Sequence, residues 1–180
     1  MKYLRRVVVT GVGLITSLGT GVEKSWNGLI EGKTGIDKIT AFDCTDFPSK
    51  VAGEVKDFNP EDYIDKKEIK KLARYTQFAI AATKMALDDS GLVINEENAE
   101  KVGVIVSSGI GGLEILEEQH EKLLKDGPKR ISPFMIPAMI ENMAAGNVSI
   151  YFGTKGINKS VVTACASGTH AIGESFRMIQ

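Results

Sequence analysis

A cysteine, Cys165, stands in the stretch VVTACASGTHAIGE, residues 161–174, between an apolar β-type run and a helical pattern. Ala164, Ala166, Ser167 and Gly168 surround it with very small side chains. A strand-to-helix junction sets the free N–H groups and partial positive charge of the helix start beside the sulfur. That field favours the thiolate, the nucleophilic form of cysteine. Small neighbours let a substrate backbone or an acyl group come close, and a sharp turn of this kind presents the nucleophile in other α/β enzymes. A small buried filler at a tight junction would use the same residues. The local sequence leaves both readings open.

The other chemistry-bearing residues narrow the field. Cys44 lies far from Cys165 in the chain, in a loop beside Pro48 with no basic neighbour. The pair suits neither a metal-ligand spacing nor a disulfide framework, which fits a reducing, cytosolic setting. With only His120 and His170 to add, a zinc site is not expected. His120 falls among Glu117, Glu118, Glu121 and Lys122 and reads as solvated helix surface. His170 follows Cys165 by five residues, about 140° around a helix, so it does not face the same sulfur. Two glycine-rich stretches fail as nucleotide sites. GLIEGKTG, 28–35, has three residues where a phosphate loop has four. TGVGLIT, 10–16, puts Thr16 where a dinucleotide fingerprint has its third glycine. No cofactor is expected.

Charge excludes a bulk electrostatic partner: 22 Lys and Arg oppose 23 Asp and Glu, for a net charge of −1. Nucleic acid is therefore not expected, and any charged partner must use a local patch. Lys66, Lys67, Lys70, Lys71 and Arg74 recur at helical spacing along one face, and Lys129 and Arg130 sit in a proline-rich loop. Such a face is either solvated surface or a docking patch.

These residues need elements to position them. RVVVTGV (6–12), VGVIVSS (102–108) and SVVTA (160–164) read as fully buried strands of a parallel sheet. The first follows MKYLRR in the outline of a signal peptide, but Thr10, Gly11, Gly13, Thr16 and Ser17 interrupt the apolar run, so a strand is the better reading. No stretch approaches the ~20 apolar residues of a membrane span. Helical patterns separate the strands: Val22 to Gly32, Leu72 to Gly91, Leu113 to Gly127, Pro137 to about Asn147, and a fifth starting near Cys165. Asp43–Asp65 and Asp126–Pro137 read as excursions. Strands alternating with helices predict an α/β fold with a mainly parallel sheet and helices on both faces. The pattern is still an open amphipathic helix at Gln180, which predicts that the polypeptide continues or is divided.

VVTACASGTHAIGESFRMIQ resembles the active-site segment of the β-ketoacyl-acyl carrier protein synthases, specifically the type II elongating enzymes. Further likeness is spread over RRVVVTGVGLITSLG, ARYTQFA, GVIVSSGIGG and PFMIPAMIENMAAGNVSIYFGTKGIN, so it covers essentially residues 1–180. The resemblance implies a thiolase-like fold of two similar halves, with this chain as most of the N-terminal half. It implies that Cys165 accepts an acyl chain as a thioester from a carrier protein and condenses it with malonyl-carrier protein, losing carbon dioxide. It implies that Ile110 gates an acyl pocket, that Phe134, Ile136 and Met139 line that pocket near a homodimer interface, and that the basic residues named above dock the acidic carrier. The family's two histidines, lysine and glycine-rich loop lie downstream of residue 180, and neither His120 nor His170 replaces them. A type I synthase or a polyketide ketosynthase is a near alternative. A non-catalytic carrier-binding subunit would lack the nucleophile, and a cysteine hydrolase would need a general base that is not evident here.

Overall fold

The computed structural model describes residues 4–180, so Met1 to Tyr3 of the N-terminal run lie outside the described residues. Ile15–Thr16 (β1) and Gly19–Thr20 (β2) form an antiparallel pair that leads into α1, Val22–Ile30. Asp37–Lys38 (β3) pairs antiparallel with Val51–Ala52 (β4) inside the charged excursion. Lys66–Ile69 (α2) and Arg74–Ser90 (α3) follow, then Val104–Ile105 (β5) and Leu113–Asp126 (α4). Met135–Met139 (α5), Met143–Phe152 (α6), Asn158–Lys159 (β6) and Ser167–Ile179 (α7) complete the described elements, with 3₁₀ turns at Pro60–Asp62, Ala99–Lys101, Pro128–Arg130 and Ala164–Ala166.

The core sits where α3 and α6 cross beneath β5. Ile64, Ile80, Val104, Ala145 and Val148 form it, with Tyr63, Leu72, Val106 and Phe152 packed around them. Ala81, Ala144 and Ala145 are fully buried; such small side chains let two helices approach closely. α3 ends as its glycine predicts, because Gly91 takes a left-handed conformation (φ 67°) that closes the last turn.

The sheet differs from the expected one. Among the described residues the hydrogen-bonded strands form three pairs, and only β5 with β6 is parallel. Residues 6–12 have no strand partner, and Val8 and Val9 are 65% and 83% exposed. Of 102–108 only Val104 and Ile105 pair, and their partners are Asn158 and Lys159 rather than residues of 160–164. A continuous apolar run becomes a buried strand only when neighbours satisfy both of its edges. Within 4–180 that condition is met on one edge of β5 and nowhere along 6–12.

Residues 11–13 are instead seated on α3. A Cβ on Gly11 would lie 2.2 Å from the Ala86 carbonyl oxygen, and one on Gly13 would lie 2.0 Å from that of Ala82. The Val12 N–H donates to Asp89 at 2.9 Å. The two glycines of TGVG thus serve close packing on a helix, which accounts for the motif without a phosphate.

The expected helix from Pro137 to Asn147 is split into α5 and α6. Its break at Ile140 (ψ 138°) is held from outside: the Tyr75 hydroxyl donates to the Ile140 carbonyl at 2.7 Å. Burial, with the charges of Glu141 and Glu114 adding to it, pushes the Tyr75 hydroxyl above its ordinary pKa, so it stays a donor. Tyr75→Phe would leave that carbonyl without its donor and is expected to cost about 1 kcal/mol, read as a fall in Tm of about 2–4 °C. An unchanged Tm would mean that the break is set by the 135–143 segment itself.

Candidate active site

The turn that carries Cys165 begins where the chain leaves β6 and ends at the first residue of α7. Thr163 is half extended (φ −144°, ψ 42°), and Ala164 then takes φ 47°. Ala164 is the only non-glycine residue with positive φ among the described residues. A left-handed alanine is unfavourable, and such conformations persist only where surrounding contacts enforce them. The kink swings Cys165 outward: its side chain is exposed, at the N-terminal end of a 13-residue helix. The expected strand-to-helix junction is therefore a 3₁₀ turn, Ala164–Ala166, ahead of α7. Ser167 is buried below it, accepting from the Thr163 N–H at 2.9 Å and donating to the Ala164 carbonyl at 2.8 Å.

A second loop lies against this turn. A Cβ on Gly109 would sit 3.5 Å from the Ala164 carbonyl oxygen, ordinary contact distance, so the loop after β5 lies beside the turn of Cys165. The Ser108 hydroxyl accepts from the Gly111 N–H at 3.0 Å, and Gly111 (φ 87°) turns the chain so that the Gly112 N–H reaches the Met139 carbonyl at 2.9 Å. Glu141 binds these pieces together: its Oε1 accepts from the Ser108 N–H at 3.1 Å and lies 3.4 Å from the Ser160 hydroxyl. Ser160 in turn donates to the Val106 carbonyl at 2.8 Å. One carboxylate thus connects the loop after β5, the segment after β6 and the break between α5 and α6.

The expected site residues fall into three groups. Cys165, Ile110 and Met139 are brought into one connected region by the contacts just described, Ile110 being 70% exposed and Met139 half-buried. Phe134 and Ile136 lie on the same 131–140 segment but are exposed, and no wall of the described residues closes over them. A groove of about 410 Å³ lined by Leu92, Ile105, Ile157, Met178 and Ile179 contains none of these residues.

The basic residues do not share one helical face. Lys66 and Lys67 are on the four-residue α2, Lys70 and Lys71 are in the turn after it, and Arg74 opens α3. The reason is local: α2 stops at Lys70, and extended Ala73 (ψ 157°) breaks the path to α3. Lys66 pairs with Glu61 at 3.0 Å and Lys71 with Glu68 at 2.7 Å. The Arg74 guanidinium donates to the Val55 carbonyl at 2.8 Å and stacks on Phe58 and Phe78, so it is engaged in packing. Lys67, Lys70, Lys129 and Arg130 are exposed, with no ion pair among the described residues. Lys71 also sits 5.6 Å from the Phe134 ring centre, which places the α2 lysines next to the 131–140 segment.

Neither histidine approaches the sulfur as a hydrogen-bond partner. His120 is exposed on α4. His170 Nδ1 lies 3.3 Å from the Thr163 hydroxyl and its Nε2 lies 3.8 Å from Glu174. Glu174 accepts from Lys159 at 2.5 Å, and that bond, followed by the lysine charge, holds its carboxyl below the usual range. Among the described residues no three His, Cys, Asp or Glu side chains converge to hold a metal ion, and no helix is long and apolar enough to cross a membrane. The sequence reading missed Ser108, Glu141 and Ser160. A lone charged residue inside the Met- and Ala-rich 135–148 stretch was the available signal for Glu141; the two serines gave none.

Comparison with known proteins gives the family and the fold. Residues 4–180 match the family described as "Beta-ketoacyl synthase, N-terminal domain". The chain is 51% identical over 176 residues to 3-oxoacyl-[acyl-carrier-protein] synthase 2 of Synechocystis sp., covering 98% of this chain and 42% of the relative. It thus spans less than half the length of the curated relatives it matches. Among solved structures, a type II PKS ketosynthase bound to the hexaketide, in complex with its acyl-carrier protein, superposes with a TM-score of 0.81 at 25% identity, covering 98% of this chain and 48% of that one. The ishigamide ketosynthase/chain length factor gives 0.77 at 28% identity, covering 96% and 45%. The fold is accordingly thiolase-like, and the described residues hydrogen-bond in three two-stranded pairs within it. With the family matched from residue 4 to residue 180 and a half-identical relative along nearly the whole chain, this polypeptide belongs to the beta-ketoacyl synthase family, of which it carries the N-terminal domain.

Proposed function

We propose that residues 1–180 form the N-terminal part of a 3-oxoacyl-[acyl-carrier-protein] synthase of fatty acid elongation, with Cys165 as its nucleophile. The observation that carries this reading is the exposed thiol on a strained turn at the start of α7. The Cys165 thiolate attacks the carbonyl carbon of an acyl-carrier thioester; the new carbon–sulfur bond forms as the carrier thiolate leaves. Malonyl-carrier protein then loses carbon dioxide, and the resulting carbanion attacks the Cys165 thioester, forming a carbon–carbon bond and returning the cysteine thiolate. Splitting the transfer through a covalent intermediate divides one difficult step into two easier ones. The Cys165 N–H, at the start of a helix, is suited to donate to the developing oxyanion. The groups that assist decarboxylation belong to the family's downstream half.

In this reading the partner is an acidic acyl carrier protein, the enzyme is a cytoplasmic homodimer, and Ile110, Phe134, Ile136 and Met139 contact the acyl chain. The relative bound to its carrier protein supports such a partner. Lys67, Lys70, Lys129 and Arg130 form the open part of the basic patch; Lys66, Lys71 and Arg74 keep their own partners. The combined charge reversals Lys67→Glu and Lys70→Glu are expected to raise KM for acyl-carrier protein by about tenfold with little change in kcat, because rim charges steer association. Steady-state kinetics at low and moderate salt read this, and an unchanged KM would move the docking site elsewhere.

Intact-mass spectrometry after incubation with a long-chain acyl-carrier thioester, with peptide mapping, tests the whole proposal. An acyl adduct on Cys165 supports the synthase. An unmodified Cys165 in a protein that still binds the acyl carrier would assign a carrier-binding subunit instead.

A further inference from the structure

The strained turn needs something to hold it, and the structure supplies one candidate. Ala164 at φ 47° would relax to negative φ if its flanking groups were free. Both flanks are fastened by one side chain. The Ser167 hydroxyl accepts from the Thr163 N–H at 2.9 Å and donates to the Ala164 carbonyl at 2.8 Å. Its residue is 3% exposed, so water does not substitute readily for either bond. Two main-chain bonds close the 3₁₀ turn, from the Ala166 N–H to the Thr163 carbonyl at 2.9 Å and from the Ser167 N–H to the Ala164 carbonyl, but neither holds the Thr163 N–H ahead of the kink. At the turn His170 meets the exposed Thr163 hydroxyl, at 3.3 Å, rather than a main-chain group.

We propose that Ser167 is a positioning residue for Cys165: its hydroxyl holds Ala164 left-handed and thereby fixes where the thiol stands at the head of α7. The inference rests on the reading of Cys165 as the nucleophile. Loss of the hydroxyl leaves the Thr163 N–H unpaired and the Ala164 carbonyl with the Ser167 N–H as its remaining donor, and Ala164 then returns toward negative φ, turning the thiol away from the helix start.

The test is alkylation of Cys165 by iodoacetamide in the intact protein, followed by peptide mapping, at a temperature where every variant is folded. Ser167→Ala is expected to slow labelling by about two- to fivefold, the scale on which a helix start acts on a neighbouring charge such as the attacking sulfur. Ser167→Thr keeps the hydroxyl and is expected to label near the wild-type rate. Ser175→Ala removes a similar bond farther along α7, from Ser175 to the Ala171 carbonyl at 2.8 Å, and should leave the rate unchanged. The decisive variant adds Ala164→Gly to Ser167→Ala. Glycine accepts positive φ without support, so this double variant should recover much of the lost rate.

Wild-type labelling no faster than that of a free peptide thiol would remove the nucleophile reading, and the inference with it. Fast wild-type labelling matched by Ser167→Ala would leave the nucleophile in place and overturn the inference alone. So would a double variant that shows no recovery. Should Ser167→Ala not fold, the double variant decides: restored folding and labelling support the inference, and a chain that remains unfolded assigns Ser167 to folding instead.

Discussion

Replacing Cys165 with alanine is expected to abolish covalent acyl loading and to lower condensation by on the order of 10⁴-fold or more, the scale on which removal of a nucleophile acts. The effect is this large because, among the described residues, neither the nearby imidazole nor the other thiol is placed to take the acyl chain instead. His170 is directed to Thr163 and Glu174, and Cys44 is 5% exposed in a different part of the molecule. Cys44→Ala should therefore leave the adduct in place, which makes it the matched control. Stability should change little in Cys165→Ala, since the exposed thiol packs against little, so a melting curve close to wild type would separate lost chemistry from lost structure. A variant that still condenses at a rate near wild type would show that the acyl chain is carried elsewhere.

Gly13→Ala should be among the most damaging single-methyl changes. The new Cβ would meet the Ala82 carbonyl oxygen at 2.0 Å and the Ala82 carbonyl carbon at 2.8 Å, both main-chain atoms of α3. Neither can swing aside as a side chain would, and α3 cannot retreat because its other face is packed on α6. Overpacking of this kind costs about 3 kcal/mol, or roughly 6–12 °C in Tm for a chain of this size. Scanning calorimetry or a denaturant melt reads the loss. A Tm within a degree of wild type would mean that residues 11–13 do not lie on α3. Gly32→Ala, where a Cβ meets nothing within 4 Å but φ is 67°, should cost less, through backbone conformation alone.

Several of these features were legible in the chain before any coordinates. Helices with a clear stop formed where expected: Gly91 ends α3 and Gly127 ends α4, because a left-handed or open glycine is a local instruction. The exposed turn of Cys165 was likewise marked by its small neighbours before a helix start, although those residues alone left nucleophile and filler both open. The resemblance carried by TACASGTHAIG added the chemistry, and the match over residues 4–180 agrees with it.

What the sequence did not contain depended on partners far along the chain. The valines of 6–12 have the composition of a buried strand, yet pairing requires a neighbour, and none is offered within 4–180. The lysines from Lys66 to Arg74 have helical spacing, yet extended Ala73 divides the helix and sends Arg74 into an aromatic pocket. The break at Ile140 is made by a hydroxyl 65 residues away, and the loop of Ile110 is held by a carboxylate 33 residues beyond Ser108. Local propensity fixes helix ends and the chemistry of a single residue, because both are decided within a few bonds. Tertiary structure alone decides which edge is paired, which break is held and which alanine is forced left-handed beside Cys165, because each of those costs free energy that only a distant or buried partner offsets.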